Sequence, residues 1–258
     1  MELLDLPSPL FQTLDAVLGL WLPPWAGVVI WAALSASVSM MLYRRLSDQG
    51  ALDALKPRLR AARQALASYD GPFDGLPARM GEAMRLSVRQ VRLTLWPALL
   101  SSLPVLLVAV WLGNARGASF PPAGTLVEIS AWPVQAAPSI HWTAAQPPVQ
   151  AVEPGRWRVA WPGSGAILRM VYADGATVLE LPLPAPAGLV HKRVWWNALI
   201  GNPAGYLPAQ GPLERIELNL PEQQLLGFGP GWLRTWPALY FTVLFAVSLG
   251  LKWYGRIH

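Results

Sequence analysis

Three stretches of the chain run without a single charged side chain: Trp25–Tyr43 (WAGVVIWAALSASVSMMLY), Leu93–Gly113 (LTLWPALLSSLPVLLVAVWLG) and Thr235–Leu251 (TWPALYFTVLFAVSLGL). A bilayer core of about 30 Å takes roughly 17–25 helical residues to cross, so each run is long enough for a span. One such run is equally a buried core helix. Three of them in 258 residues, each with tryptophan near an end, predict a membrane protein. Trp21, Trp25, Trp96, Trp111, Trp232, Trp236 and Trp253 fall where interfacial belts are expected.

The charges that are excluded from these runs collect in one place. Residues 44–92 hold ten Lys or Arg against five acids, a surplus equal to the whole net charge of +5; the rest of the chain is balanced. A basic pI alone suggests nucleic acid, but cations confined to a loop between two apolar runs instead predict topology by the positive-inside rule. The flank before the first run carries only Glu2, Asp5 and Asp15, and the C-terminal KWYGRIH adds Lys252 and Arg256. The N-terminus is therefore expected outside, 44–92 in the cytosol, 114–232 outside and the C-terminus in the cytosol, in a multi-pass protein of the inner (cytoplasmic) membrane. The acidic start lacks the positive region of a cleavable signal peptide, so the first span is expected to stay as an anchor.

Residues 8–22 place Leu10, Phe11, Leu14, Val17, Leu18 and Trp21 at helical spacing, with Gln12, Thr13 and Asp15 off the stripe. Ser8 is the expected N-cap and Pro9 the first helical residue. A short amphipathic helix in the outer interface follows, turned into the membrane by Pro23 and Pro24. In the basic loop, Leu52, Leu55, Leu59, Ala62, Leu66 and Tyr69 recur at heptad spacing. Pro57 is expected to kink or restart this helix. YDGPFDGLP at 69–77 has turn chemistry, and Met80, Met84, Val88 and Val91 then form a second apolar stripe leading into the second span. Together these predict a cytosolic antiparallel helical hairpin.

Residues 114–232 change texture. TLVEIS, RWRVAW, ILRMVY, TVLEL and ERIELNL alternate as strands do, and ADGA between the third and fourth is a hairpin turn. Five to seven strands are expected, as a small β-sandwich or open barrel. VWWNALI is expected to be a short helix or a membrane-facing loop. The fold class is thus membrane α-helical, three transmembrane helices plus the hairpin, with an extracytoplasmic all-β domain between the second and third spans. The expected divisions are 1–24 interfacial helix, 25–43 first span, 44–92 hairpin, 93–113 second span, 114–232 β domain, 233–252 third span and 253–258 cytosolic tail.

Nothing in the sequence reads as catalytic machinery. His141, His191 and His258 lack metal-ligand spacing, and Gly163-Ser164-Gly165 sits in a β turn rather than between strand and helix. No catalytic residue, cofactor, metal or nucleic-acid partner is expected; the zero cysteines exclude disulfides and thiolate sites. The spans carry only mild polarity: Ser35 and Ser39 on one helix face, with Ser37 opposite, and Ser101 and Ser102 between Pro97 and Pro104. Such serines permit close helix packing, or they line a weakly polar groove open to the cytosol. Met40, Met41, Met80 and Met84 gather at the inner end of the first span and on the hairpin, where flexible thioethers suit varied apolar partners or fill core gaps.

The order of outer amphipathic helix, span, basic hairpin, proline-bearing span and final span resembles the YidC/Oxa/Alb superfamily of membrane protein insertases. It is most similar to the minimal three-span branch that includes the insertase-type subunit of the ER membrane complex and its prokaryotic relatives. The likeness rests on SPLFQTLDAVLGLWLPPW, SVSMMLYRRLSDQGALDALKPRLRAARQAL, RQVRLTLWPALLSSLPVLL and GWLRTWPALYFTVLFAVSLGLKWYG, a little over half the chain. The resemblance implies a groove open to cytosol and lipid that takes polar tails of client segments, with no chemical catalysis. Ser35, Ser39, Ser101 and Ser102 are then groove candidates. Arg44, Arg45, Arg89 and Arg92 belong to the groove mouth or meet lipid headgroups, and Met40, Met41, Met80 and Met84 are client contacts. Several family members carry an arginine inside the groove and minimal relatives a short outer link; here the spans are uncharged and a β-rich segment fills the link. Two other readings compete. One is a non-catalytic accessory subunit of a larger membrane complex that docks a partner through its outer β domain. The other is a sugar- or peptide-binding module built on Trp142, Trp157, Trp161, Trp195 and Trp196.

Overall fold

The computed structural model describes residues 3–143 and 149–255; Glu2, Arg256 and His258, used above, lie outside them. The chain divides into two compact units. One holds the described residues up to Val28 with Leu107–Tyr240, the other Val29–Leu106 and the chain from Phe241 onward. The helices are α1 (Ser8–Gly19), α2 (Pro24–Leu46), α3 (Gln49–Ala67), α4 (Leu76–Arg116) and α5 (Trp236–Gly255).

Three helices, α2, α4 and α5, are long and apolar enough to cross a membrane, and a β-sheet region lies between the second and third of them. Only 33%, 17% and 11% of their most apolar windows are buried. Core helices of a water-soluble domain would be covered by protein; these keep residues such as Leu99, Phe245 and Leu249 exposed.

In the first unit, α1 begins one residue earlier than a Ser8 cap predicts. Pro7, held near helical dihedrals (φ −83°, ψ −2°), is the N-cap and makes no side-chain cap bond. Its carbonyl accepts from the Phe11 amide at 3.0 Å. The apolar stripe also divides. Leu10, Leu14, Val17 and Trp21 are exposed, whereas Phe11 and Leu18 are half-buried together with Asp15. Asp15 turns inward because Arg116 meets it at 2.5 Å. Phe11 packs edge-on against Trp111 with centroids 5.6 Å apart. Trp111 is therefore a buried anchor rather than a belt residue, and Trp236 is half-buried; Trp21, Trp96, Trp232 and Trp253 are exposed.

The β region has eight strands among the described residues: β1 (Leu126–Trp132), β2 (Ile140–Thr143), β3 (Val149–Glu153), β4 (Arg156–Ala160), β5 (Leu168–Tyr172), β6 (Thr177–Leu181), β7 (Leu189–His191) and β8 (Arg215–Leu218). They form two antiparallel sheets, ordered β3-β4-β1-β8-β7 and β2-β5-β6, that share one buried core. This is a sandwich and not a barrel. The alternation seen in sequence sets the register: Val127 opposes Val159 and Ile129 opposes Trp157, all buried. Each of the five strand segments read from the sequence is present; β2, β3 and β7 are additional and bring the described strands to eight, above the expected five to seven. ADGA closes the β5–β6 hairpin with Gly175 at φ +84°, a conformation that suits glycine. Trp157 and Trp161 are core residues and Trp142 packs edge-on to Trp157, so these rings do not present a binding surface. At the end of β5, burial pushes the Tyr172 phenol above its ordinary value; the nearby Leu213 backbone opposes this in part and the Asp174 charge adds to it, and the hydroxyl has no hydrogen-bond partner.

In the second unit, α3 continues through Pro57 as one helix and does not restart there. It begins at Gln49, where the Asp48 carboxylate caps the Ala51 amide at 2.8 Å. Pro57 lies on an exposed face, where a proline that lacks an amide is tolerated. Arg79 lies over the Tyr69 ring, 4.8 Å from its centroid, and the Tyr69 hydroxyl donates to the Pro72 carbonyl at 2.9 Å, fastening the turn into α4. The second hairpin arm and the second expected span are one helix of 41 residues.

Candidate functional site

All twelve residues singled out from the sequence lie in the second unit. The serines of the candidate groove are placed by α2 and α4. Ser39 Oγ donates to the Ser101 carbonyl at 2.6 Å, a bond between helices. This carbonyl lies three residues before Pro104, whose ring removes the amide that would bond Leu100 and disturbs the helical ladder there. Ser35 is buried and donates to the Ala32 carbonyl; Ser101 is buried and donates to Ala98. Ser102 is half-buried and donates to Leu99. The structure thus brings Ser39 and Ser101 together, while the hydroxyls of Ser35, Ser101 and Ser102 bond back to their own helices.

The hairpin places its two leucine-type stripes differently. Leu52, Leu55 and Leu59 of α3 are buried, as the heptad spacing predicts. On α4 the buried position is Ala83, with Leu86 half-buried, and Met80, Met84, Val88 and Val91 stay exposed. Heptad-like spacing on α4 marks a free face, not the packing seam. The same face continues through Leu95, Leu99, Leu103 and Leu106, all exposed, at spacings of three and four. From Met80 to Leu106 the track rises about 39 Å along one helix. Met41, on α2, is exposed as well, and Met40 is half-buried.

Between the arms lies a trough of about 570 Å³. Ala61, Ala62 and Ala65 form one wall, Leu86 the other, and Arg58, Arg85, Arg89 and Glu82 border it. Arg89 therefore groups with Arg58 and Arg85, two residues not singled out in sequence; their signal was the i, i+4 spacing of Arg85 and Arg89 opposite a run of small residues. Arg44, Arg45 and Arg92 are exposed.

In the β domain, His191 is half-buried between Trp196 and Tyr206, with centroids at 5.0 and 5.8 Å, and its Nδ1 lies 2.6 Å from the Lys192 carbonyl; His141 is exposed. No cluster of metal-ligating side chains occurs among the described residues. Comparison with protein-family models, with curated proteins and with solved structures returns no match to this chain.

Proposed function

We propose that this chain is an insertase-like membrane protein of the inner membrane. It assists insertion, folding or assembly of other membrane proteins and performs no chemical reaction. One observation carries the reading: the exposed apolar track that runs from Met80 and Met84 on the hairpin, without a break, into the apolar part of the same helix. Exposed methionine and valine on a helix in water are unfavourable unless something apolar visits them. A client segment that settles there moves toward lipid along a surface of constant character, instead of crossing a polar boundary at once. Methionine suits this role because its unbranched thioether adapts to varied partners. In this reading the N-terminus and the β domain are outside and the hairpin is cytosolic. Arg44, Arg45, Arg89 and Arg92 mark the inner boundary, where they attract acidic client flanks or anionic headgroups. The Ser39–Ser101 bond joins two of the proposed spans.

The direct test is reconstitution of purified protein into liposomes with a short-tailed, single-span client. Insertion well above that of empty liposomes is expected, and insertion equal to empty liposomes overturns the proposal. A second reading is an accessory subunit of a larger membrane complex, and it draws on the exposed edge strand β3, whose free backbone side suits strand addition. Purification from native membranes separates the two: one stoichiometric partner favours the subunit, and a mixture of clients the insertase.

A further inference from the structure

The turn from Val194 to Ile200 is apolar and exposed, yet closely hydrogen-bonded. Trp195 is 85% exposed, and Val194, Trp196, Leu199 and Ile200 are also open to the surroundings. A loose loop with this composition would fold its rings inward, yet this one is held open by Asn197, which is fully buried beneath it. The Asn197 carbonyl oxygen accepts from the Val194 amide at 2.7 Å, and its amide donates to the Ile200 carbonyl at 3.3 Å. The Asn197 and Leu199 amides bond the Val194 and Trp196 carbonyls at 3.0 and 2.9 Å.

The turn is also tied to the N-terminal segment. The Leu4 amide donates to the Leu199 carbonyl at 2.9 Å, and the Gly201 amide donates to the Asp5 carboxylate at 2.7 Å. Leu3, Leu6, Leu10, Val17 and Trp21 extend the exposed apolar surface from this point along α1. Only four residues separate Gly19, the end of α1, from Pro24, the start of α2. At full stretch those residues reach roughly 17 Å, so α1 stays close to the membrane surface if α2 crosses it.

We propose that the Val194–Ile200 turn is a second membrane anchor, which inserts Trp195 and Leu199 into the outer headgroup–acyl boundary beside α1. The inference rests on the reading of α2, α4 and α5 as membrane spans and is independent of insertase activity. Lipid is the favoured occupant over a protein partner because of the backbone. Hydrocarbon offers no hydrogen bonds, so a segment that enters it must satisfy its own amides and carbonyls. This turn pairs the Val194, Asn197, Leu199, Ile200 and Gly201 amides through its own backbone, Asn197 and Asp5, leaving apolar side chains outward, and tryptophan is the side chain that prefers such a boundary.

The chain has no cysteine, so single cysteines report cleanly. Spin labels on Trp195→Cys, Leu199→Cys, Ser164→Cys and Phe245→Cys of the full chain, in phosphatidylethanolamine–phosphatidylglycerol vesicles, are probed by collision with oxygen and with a water-soluble nickel complex. Labels at 195 and 199 are expected to favour oxygen several-fold over nickel, relative to the label at 164. Equal nickel access at 195, 199 and 164, with oxygen favoured at 245, overturns the anchor alone. Low access to both reagents at 195 and 199 also overturns it, in favour of a protein contact. Nickel access at 245 as well overturns the membrane reading with it.

Discussion

Ser39 of α2 donates its hydroxyl proton to the backbone carbonyl of Ser101 in α4 at 2.6 Å, across 62 positions of sequence. Hydrogen bonds between helices in a bilayer average about 0.6 kcal/mol and rarely exceed about 1.7 kcal/mol. Ser39→Ala is therefore expected to destabilise the helical unit by about that average. Ser102→Ala, which removes only a bond to its own helix at Leu99, is expected to have little effect. Unfolding by dodecyl sulfate in mixed micelles measures both, and equal losses would show that the contact between helices is not special.

Met80 and Met84 project from the free face of α4, so replacing them does not disturb a packed core. Met80→Asn with Met84→Asn is expected to change stability by less than about 0.5 kcal/mol. Client adducts from a photo-crosslinker at Val88 are expected to fall several-fold in the same double variant. A crosslinker at Gln64, on the exposed side of α3, serves as the background. Unchanged adducts at Val88 would remove the methionines from any client path.

The parts of this architecture that the sequence made legible are those in which one residue class carries one physical meaning. Absence of charge over a span-length run marked α2, α4 and α5, and alternation, broken at Val178 and Leu179 of β6, marked β1, β4, β5, β6 and β8. What escaped were relations between distant positions. Leu52 and Met84 sit in similar periodic patterns, yet one is buried and the other exposed, because periodicity does not say which of two stripes finds a partner. Asp15 reads as the polar side of α1 and turns inward only because Arg116, about a hundred positions later, meets it. Strands β3 and β7 are edge strands, and β7 is only three residues long, so they show little alternation. Among the site residues, Ser39 and Ser101 were identified but their mutual bond was not, and Arg58 and Arg85 came to light only when the two hairpin arms faced each other.

The Asp15–Arg116 pair is about 14–20% exposed, between the regimes in which ion pairs contribute little and in which losing one partner is severe. Arg116→Met leaves a carboxylate with less compensation in a confined place and is expected to cost about 2 kcal/mol. Adding Asp15→Leu removes the stranded charge, so the double variant is expected to recover a large part of that loss. Thermal unfolding of the four proteins in detergent gives the coupling energy. Additive losses would mean that the two residues do not act as a pair.

Tyr172 gives the β domain an alkaline limit whose direction follows from its surroundings. Burial, assisted by Asp174, disfavours the phenolate more than the nearby Leu213 backbone favours it, so the folded state holds this proton more tightly than the unfolded chain does. The corresponding stability is present in full below the unfolded tyrosine value of about 10, and it declines as pH rises from there through the raised folded value. Tyr172→Phe keeps the ring in the core and removes a buried hydroxyl that has no hydrogen-bond partner, so stability near neutrality is expected to stay the same or rise slightly. As pH rises through about 10 the variant is expected to lose less stability than the wild type, so the two curves separate. Denaturant unfolding followed by near-ultraviolet circular dichroism at each pH measures the difference. Parallel curves would mean that Tyr172 ionises equally well in the folded and unfolded chain.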